Sequence, residues 1–209
     1  MKKKISSIKT LLIPSWKFNL FVLILLVLGV TCGAIYYNLL SKSDLDSVFS
    51  TMNAFTTSIK NNSYNYVQAL LHSLGNNLFY IAIIFILGLS MIGIPFIIML
   101  IFLKGLTVGF TVSTLIGLYK YKGSLYSFIY IFPKEILSFI SYIIIGYYSI
   151  NFSILIFKQI FKKEKISIRK ELEKYLVVLG ITSFIGIITS LLDAYLYPNL
   201  FNLLLNLLK

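Results

Sequence analysis

From Leu78 to Leu118 the chain carries a single charged side chain, Lys104. As one helix rising about 1.5 Å per residue, that run would form a rod of roughly 61 Å, about twice the hydrocarbon thickness of a bilayer. No bilayer accommodates it as one span. Gly93-Ile94-Pro95 near its middle supplies a break, because proline cannot donate to the preceding turn and disfavours helical backbone at Ile94. Two helices are expected, over 75–93 and 95–118, with Gly93 and Pro95 at the kink. Composition agrees: 58% of residues are hydrophobic and 12% charged, where a soluble domain carries about 25% charged residues to solvate its surface. Mean hydropathy is +0.88. The class is an all-α polytopic membrane protein, which excludes secreted enzymes, free nucleic-acid binders and disordered scaffolds. One cysteine excludes an intramolecular disulfide framework.

Three further spans follow from the same reading. The apolar block Phe18–Leu40 is preceded by Lys2, Lys3, Lys4, Lys9 and Lys17. Its length exceeds the usual core of a secretory signal, so it reads as an uncleaved anchor. Gly29-Val30-Thr31 is a poor lipobox for Cys32, which reads as an inert thiol near the helix end. Gly29 and Gly33 form a small-xxx-small pair suited to close helix contact. A fourth span covers 124–148 and continues toward Phe161, and a fifth covers 175–197.

The formal charge of +12 would suggest nucleic acid in a soluble chain, but basic residues of membrane proteins gather in cytoplasmic loops and fix orientation. Lys158, Lys162, Lys163, Lys165, Arg169, Lys170 and Lys174 crowd the stretch before span five. Five spans put this stretch and the basic N-terminus on one side, whereas four would turn the most basic loop outward. The expected layout is a cytoplasmic N-terminus (1–17), a first transmembrane helix (18–40), an external helical hairpin (41–74), a four-helix region (75–197) with a basic cytoplasmic loop (158–174), and an external interfacial helix (198–209). The C-terminus is then outside.

In the hairpin, Leu45, Val48, Phe49, Met52, Phe55 and Ile59 recur at intervals of three and four, the pattern of one apolar helical face. After a polar turn, Tyr66, Val67, Leu70, Leu71 and Leu74 repeat the pattern into span two. Such a hairpin lies on the leaflet, packs on the bundle, or presents Phe49, Met52 and Phe55 to a partner's helix. Asn61-Asn62-Ser63 matches a short glycosylation sequon. Pro198 is expected to open a new helix with Asn199, Asn202 and Asn206 on one stripe, ending at Lys209.

No catalytic set assembles from these residues, and no cofactor or metal is expected. With one histidine (His72) and one cysteine, a zinc protease site of two His and a Glu cannot form. No G-x-S-x-G accompanies His72, and no Walker glycine loop is present. Glu135 and Asp193 sit in no motif of an intramembrane aspartyl site. Lys104, Lys134, Glu135 and Asp193 lie in or near the spans, where each costs roughly 2.5 to 3.5 kcal/mol at a helix centre, so pairing or a watery cavity is expected. Lys104 and Glu135 sit about 21 and 17 Å from the outer ends of their spans, close enough for a lysine stem to bridge. Gly105 and Gly109 add a second small-xxx-small contact face beside Lys104.

The run Phe102-Leu103-Lys104-Gly105-Leu106-Thr107-Val108-Gly109-Phe110-Thr111 resembles the signature of the stage II sporulation protein M family. The order of the flanking motifs agrees: Gly93-Ile94-Pro95 upstream, then Phe132-Pro133-Lys134-Glu135 and Ile150-Asn151-Phe152-Ser153. Leu192-Asp193-Ala194-Tyr195 with Pro198 resembles the closing motif, with Asp where the family more often carries Glu. The resemblance covers roughly residues 75–200; the N-terminal span and loop match in layout. It implies a role in engulfment during endospore formation, beside stage II sporulation proteins D and P, two cell-wall hydrolases, at the septum and engulfing membrane of the mother cell. The M protein is the polytopic member without a hydrolytic site. The leading expectation is therefore a non-catalytic scaffold that anchors and localises septal peptidoglycan hydrolases. The competing one is a small-solute transporter or permease subunit using Lys104, Glu135 and Asp193. Neither requires nucleic acid, and both require the lipid bilayer.

Overall fold

A computed structural model describes residues 15–61, 63–162 and 167–207, and every regular element among them is helical. The helices are α1 (Trp16–Leu39), α2 (Lys42–Lys60), α3 (Tyr66–Gly88), α4 (Gly93–Tyr119), α5 (Tyr121–Tyr126), α6 (Phe132–Phe161), α7 (Ile168–Leu191) and α8 (Tyr197–Leu207). Wider π-helical turns, Ser127–Ile131 and Leu192–Leu196, join α5 to α6 and α7 to α8. Five helices are long and apolar enough to cross a membrane: α1, α3, α4, α6 and the stretch Ile168–Asn202. Lys2, Lys3, Lys4, Lys9, Asn62, Lys163, Lys165 and Lys209 lie outside the described residues.

Side-chain caps explain three of the starts. Ser15, Ser41 and Asn65 each accept a backbone N–H three residues on, from Phe18 (3.4 Å), Asp44 (3.3 Å) and Gln68 (3.1 Å). Asp44 in the first turn and Lys60 in the last complement the dipole of α2.

The boundaries differ from the sequence expectation most in four places. The basic loop expected over 158–174 is mostly helical, since α6 runs to Phe161 and α7 starts at Ile168. The second arm of the expected hairpin is not a separate helix: Tyr66–Leu74 are the first turns of α3, so span two begins at Tyr66 rather than at 75. The break in the long apolar run occupies 89–92, and Pro95 falls in the first turn of α4, where its missing N–H leaves no helical bond unmade. The α3 end packs so tightly there that a Cβ on Gly93 would strike the Leu87 carbonyl. At the far end Pro198 does not start an independent helix. The chain passes through the Leu192–Leu196 turn directly into α8, with the Tyr197 N–H bonded to the Leu192 carbonyl.

Both π turns have the same cause. Phe132-Pro133 and Tyr197-Pro198 follow them, and a proline ring inside an α-helix presses on the carbonyl four residues back. Bonding five residues back, as Phe132 does to Ser127, opens the turn and relieves that pressure.

Contacts give the relative direction of each long helix. Leu26 meets Gly105 and Val30 meets Gly109, so α1 and α4 run parallel. Tyr142 bonds Asn77 and Ser153 bonds Gly88, so α3 and α6 run parallel as well. Lys104 meets Glu135 while Ile97 and Ile101 meet Gly146, which makes α4 and α6 antiparallel. Ser73 bonds Asp193 and Phe85 bonds Tyr175, which makes α3 and α7 antiparallel. The five long helices therefore alternate in direction along the chain. A one-residue hinge sets α4 beside α6: Lys120 adopts φ 52°, in the left-handed region, and Gly123 lets α5 fold back onto the Leu115 carbonyl.

The main core joins Ile81 and Ile84 of α3, Ile97 and Ile101 of α4, Ile145 and Phe152 of α6, and Tyr175 and Val178 of α7. A smaller cluster of Ile59, Tyr126 and Phe201 ties α2, α5 and α8 together at one end. Phe55 packs in that cluster, 6.1 Å from Phe201 between ring centres, and Thr56 hydrogen-bonds Tyr119 at 2.9 Å. Phe49 lies near Gly117 of α4, and Met52 faces Phe110 and Thr114. The apolar face of α2 is thus turned toward the bundle, with Asp46, Ser50, Asn53 and Thr57 exposed on the other side.

Candidate functional site

The polar residues of α3, α6 and α7 line up along their mutual contact. At the α2 end, Lys134 Nζ lies 2.8 Å from Asp193 Oδ1, and Ser73 Oγ donates to Asp193 Oδ2 at 2.7 Å. One residue along α6, Glu135 Oε2 lies 3.4 Å from Lys104 Nζ. Next, Tyr142 donates to Asn77 Oδ1 at 3.1 Å and Asn77 donates to Ser190 at 2.8 Å. Toward the opposite end, Ser149 pairs with Tyr175 at 2.6 Å, Tyr175 donates to the Phe85 carbonyl at 2.8 Å, and Ser153 donates to the carbonyls of Gly88 and Ser90.

Helix periodicity builds this seam. Ser73 and Asn77 are one turn apart on α3, and Ser190 and Asp193 are three apart, so each set shares a face. The two acids and their lysines come from elements distant in sequence, but both pairs form just beyond a proline-relieved π turn or within it. Asp193 lies in the second π turn, and Lys134 and Glu135 directly follow the first. Asp193 and Pro198, which mark the closing motif, therefore have distinct physical roles: one holds Lys134 and the other imposes the wide turn that carries Asp193.

The two ion pairs are not equivalent. The Lys134 and Asp193 side chains are 24% and 18% exposed, those of Lys104 and Glu135 14% and 11%. The first pair lines an open cavity of about 510 Å³ at the α2 end, walled also by Phe55, Tyr64, Asn65, Gln68, His72 and Ser73. Burial, and after it the Asp193 carboxylate, raises the Tyr64 phenol above its ordinary value. The second pair is deeper and less complete. Its 3.4 Å contact lacks hydrogen-bond geometry, and Glu135 Oε2 has no hydrogen-bond partner among the described residues. The Lys104 ammonium also stands 5.7 Å from the centre of the Tyr142 ring. Below Asn77 the surroundings tighten around Ile81, Ile84 and Ile145, each at most 1% exposed.

The four contact glycines form a separate packing surface between α1 and α4. Gly29 and Gly33 of α1 face Gly105 and Gly109 of α4 at backbone distance: a Cβ on Gly29 would sit 2.5 Å from the Phe102 carbonyl oxygen, and one on Gly105 2.7 Å from that of Leu26. The small-xxx-small motifs thus pair with each other. Among the described residues, no three His, Cys, Asp or Glu side chains gather where they could share a metal ion.

Sequence reasoning singled out the Lys104 and Glu135 pair but assigned no partner to Lys134 or Asp193 and overlooked Ser73, Asn77 and Ser190. The signal for these three was their polarity at helical spacing inside otherwise apolar spans.

These features define an all-helical protein with five helices fit to cross a membrane and a charged seam through their centre. The chain belongs to the stage II sporulation protein M family, whose sequence model matches residues 22–198. The match extends the resemblance back through most of α1 and all of α2. No curated protein and no solved structure is matched.

Proposed function

We propose that the chain is a non-catalytic membrane scaffold that anchors and localises septal peptidoglycan hydrolases, the stage II sporulation proteins D and P, at the septum and engulfing membrane of the mother cell. Family membership points to a sporulation-related membrane protein, and the observation that carries the finer reading is α2. This helix is secured to the bundle by its apolar face and leaves the stripe Asp46, Ser50, Asn53 and Thr57 open to another protein. Phe49, Met52 and Phe55 then support that surface from beneath. In this reading the N-terminus and the basic stretch 158–174 are cytoplasmic, and α2 lies outside, within reach of wall-facing hydrolase domains.

Two experiments test it. In a Cys32→Ser background, Ser43→Cys is expected to react with an impermeant maleimide on intact cells and Ser167→Cys only after permeabilisation; the reverse pattern overturns the orientation. Affinity purification from sporulating cells is expected to recover both hydrolases with the native chain. Recovery should fall several-fold with Ser50→Arg plus Asn53→Arg at unchanged membrane abundance, whereas absence of both hydrolases from the native pull-down defeats the scaffold reading.

A second reading, a small-solute transporter or permease subunit, is supported by the polar cavity above two intramembrane ion pairs. Solute uptake into proteoliposomes that is lost in Asp193→Asn would favour it.

A further inference from the structure

We propose that the cavity at the α2 end is a binding site for a neutral saccharide unit. Its chemistry narrows the ligand class step by step. At about 510 Å³ it falls in the size range of small-molecule sites. Among the described residues, the only formal charges on its wall, Lys134 and Asp193, lie 2.8 Å apart and compensate each other, so the site offers neither an anion nor a cation an uncompensated partner. A zwitterion likewise gains little net charge attraction from a pair that is already compensated. An apolar ligand would strand the amides and hydroxyls along the wall.

A neutral polyol requires none of this. The Lys134 ammonium spends one donor on Asp193 and keeps others, and each Asp193 oxygen keeps accepting capacity beyond its one bond. The pair therefore presents a donor beside an acceptor, the complement of two neighbouring ring hydroxyls. Higher on the wall, the Gln68 amide and His72 imidazole make no hydrogen bond to other described residues, although both line the cavity. Each can both donate and accept. Phe55 and Tyr64, which meet edge to face at 5.9 Å, also line the cavity and supply aromatic surface suited to the C–H face of a sugar ring. Aromatic wall, amide, imidazole and a compensated ion pair together fit a saccharide and disfavour the other classes.

The full chain in phosphatidylcholine nanodiscs, titrated calorimetrically, provides the test. The probes are glucose, N-acetylglucosamine and maltose, with dodecyl maltoside for a lipid-borne sugar and glycine and inorganic phosphate as counter-probes. At least one sugar probe is expected to bind saturably, and whether maltose or dodecyl maltoside binds more tightly distinguishes a free saccharide from a lipid-borne one. Gln68→Leu and His72→Leu remove exposed groups with no described partner, so both variants should stay folded, and each should weaken binding roughly tenfold. Sugar binding unchanged in both variants overturns the assignment. So does saturable binding of glycine or phosphate without any sugar, or binding of no probe at all.

Discussion

Gly109→Ala is expected to lower the membrane abundance and the melting temperature of the purified protein, while Gly180→Ala leaves both unchanged or slightly raised. The two substitutions add the same methyl group to a long helix, so propensity favours both, by up to about 1 kcal/mol. Their surroundings decide the sign. A Cβ on Gly180 meets nothing within 4 Å, whereas one on Gly109 strikes the Val30 carbonyl, with the carbonyl carbon 2.7 Å away. That neighbour is backbone in the middle of α1 and cannot rotate aside. Helix pairs in lipid are held by close packing rather than by expulsion of water, so forcing α1 off α4 forfeits the contact along Gly29, Gly33 and Gly105 too. Overpacking of this kind costs about 1–3 kcal/mol. Equal behaviour of the two variants would show that α1 is not held to α4 by this seam.

The number of membrane-length helices and the glycine seam were legible because each rests on a local pattern: long apolar runs in one case, small residues four apart in the other. Helix ends were less so. Gln68, His72 and Ser73 make the start of α3 read as an arm of an external hairpin, yet Ser73 serves the seam and all three line the cavity as part of span two's helix. Pro95 marked a real break but not its place, because proline is at home in the first turn of the following helix. Pro198 looked like a helix start, and instead the preceding turn widens and lets the helix run on. The Lys134 and Asp193 pair was illegible for another reason. Its members come from helices that meet only once the bundle is assembled, and the π turn that rotates Asp193 into place leaves no trace in apolar periodicity.

The largest effects are expected at Lys104 and Glu135. Lys104→Met alone leaves the Glu135 carboxylate, 11% exposed and already short of a hydrogen bond, without its only described counter-ion. Glu135→Gln leaves the ammonium with the Tyr142 ring alone. Breaking a buried pair from one side costs about 3–5 kcal/mol, because the penalty is the stranded charge and not the lost attraction. The combined variant strands nothing, and its cost should fall below that of the worse single change. The contact lacks hydrogen-bond geometry, so little direct bonding energy is lost with it. Lys134 and Glu135 are consecutive on α6, so the cycle needs the neighbouring pair as a reference. Lys134→Met and Asp193→Asn should each cost less than their deeper counterparts, because the cavity lets water reach the charge that remains. Membrane abundance and reversible denaturation in mixed micelles of the three Lys104 and Glu135 variants measure the cycle. A double variant as poor as the worse single would mean that each charge is needed for something other than the other, and that outcome is what a transport pathway through the seam requires.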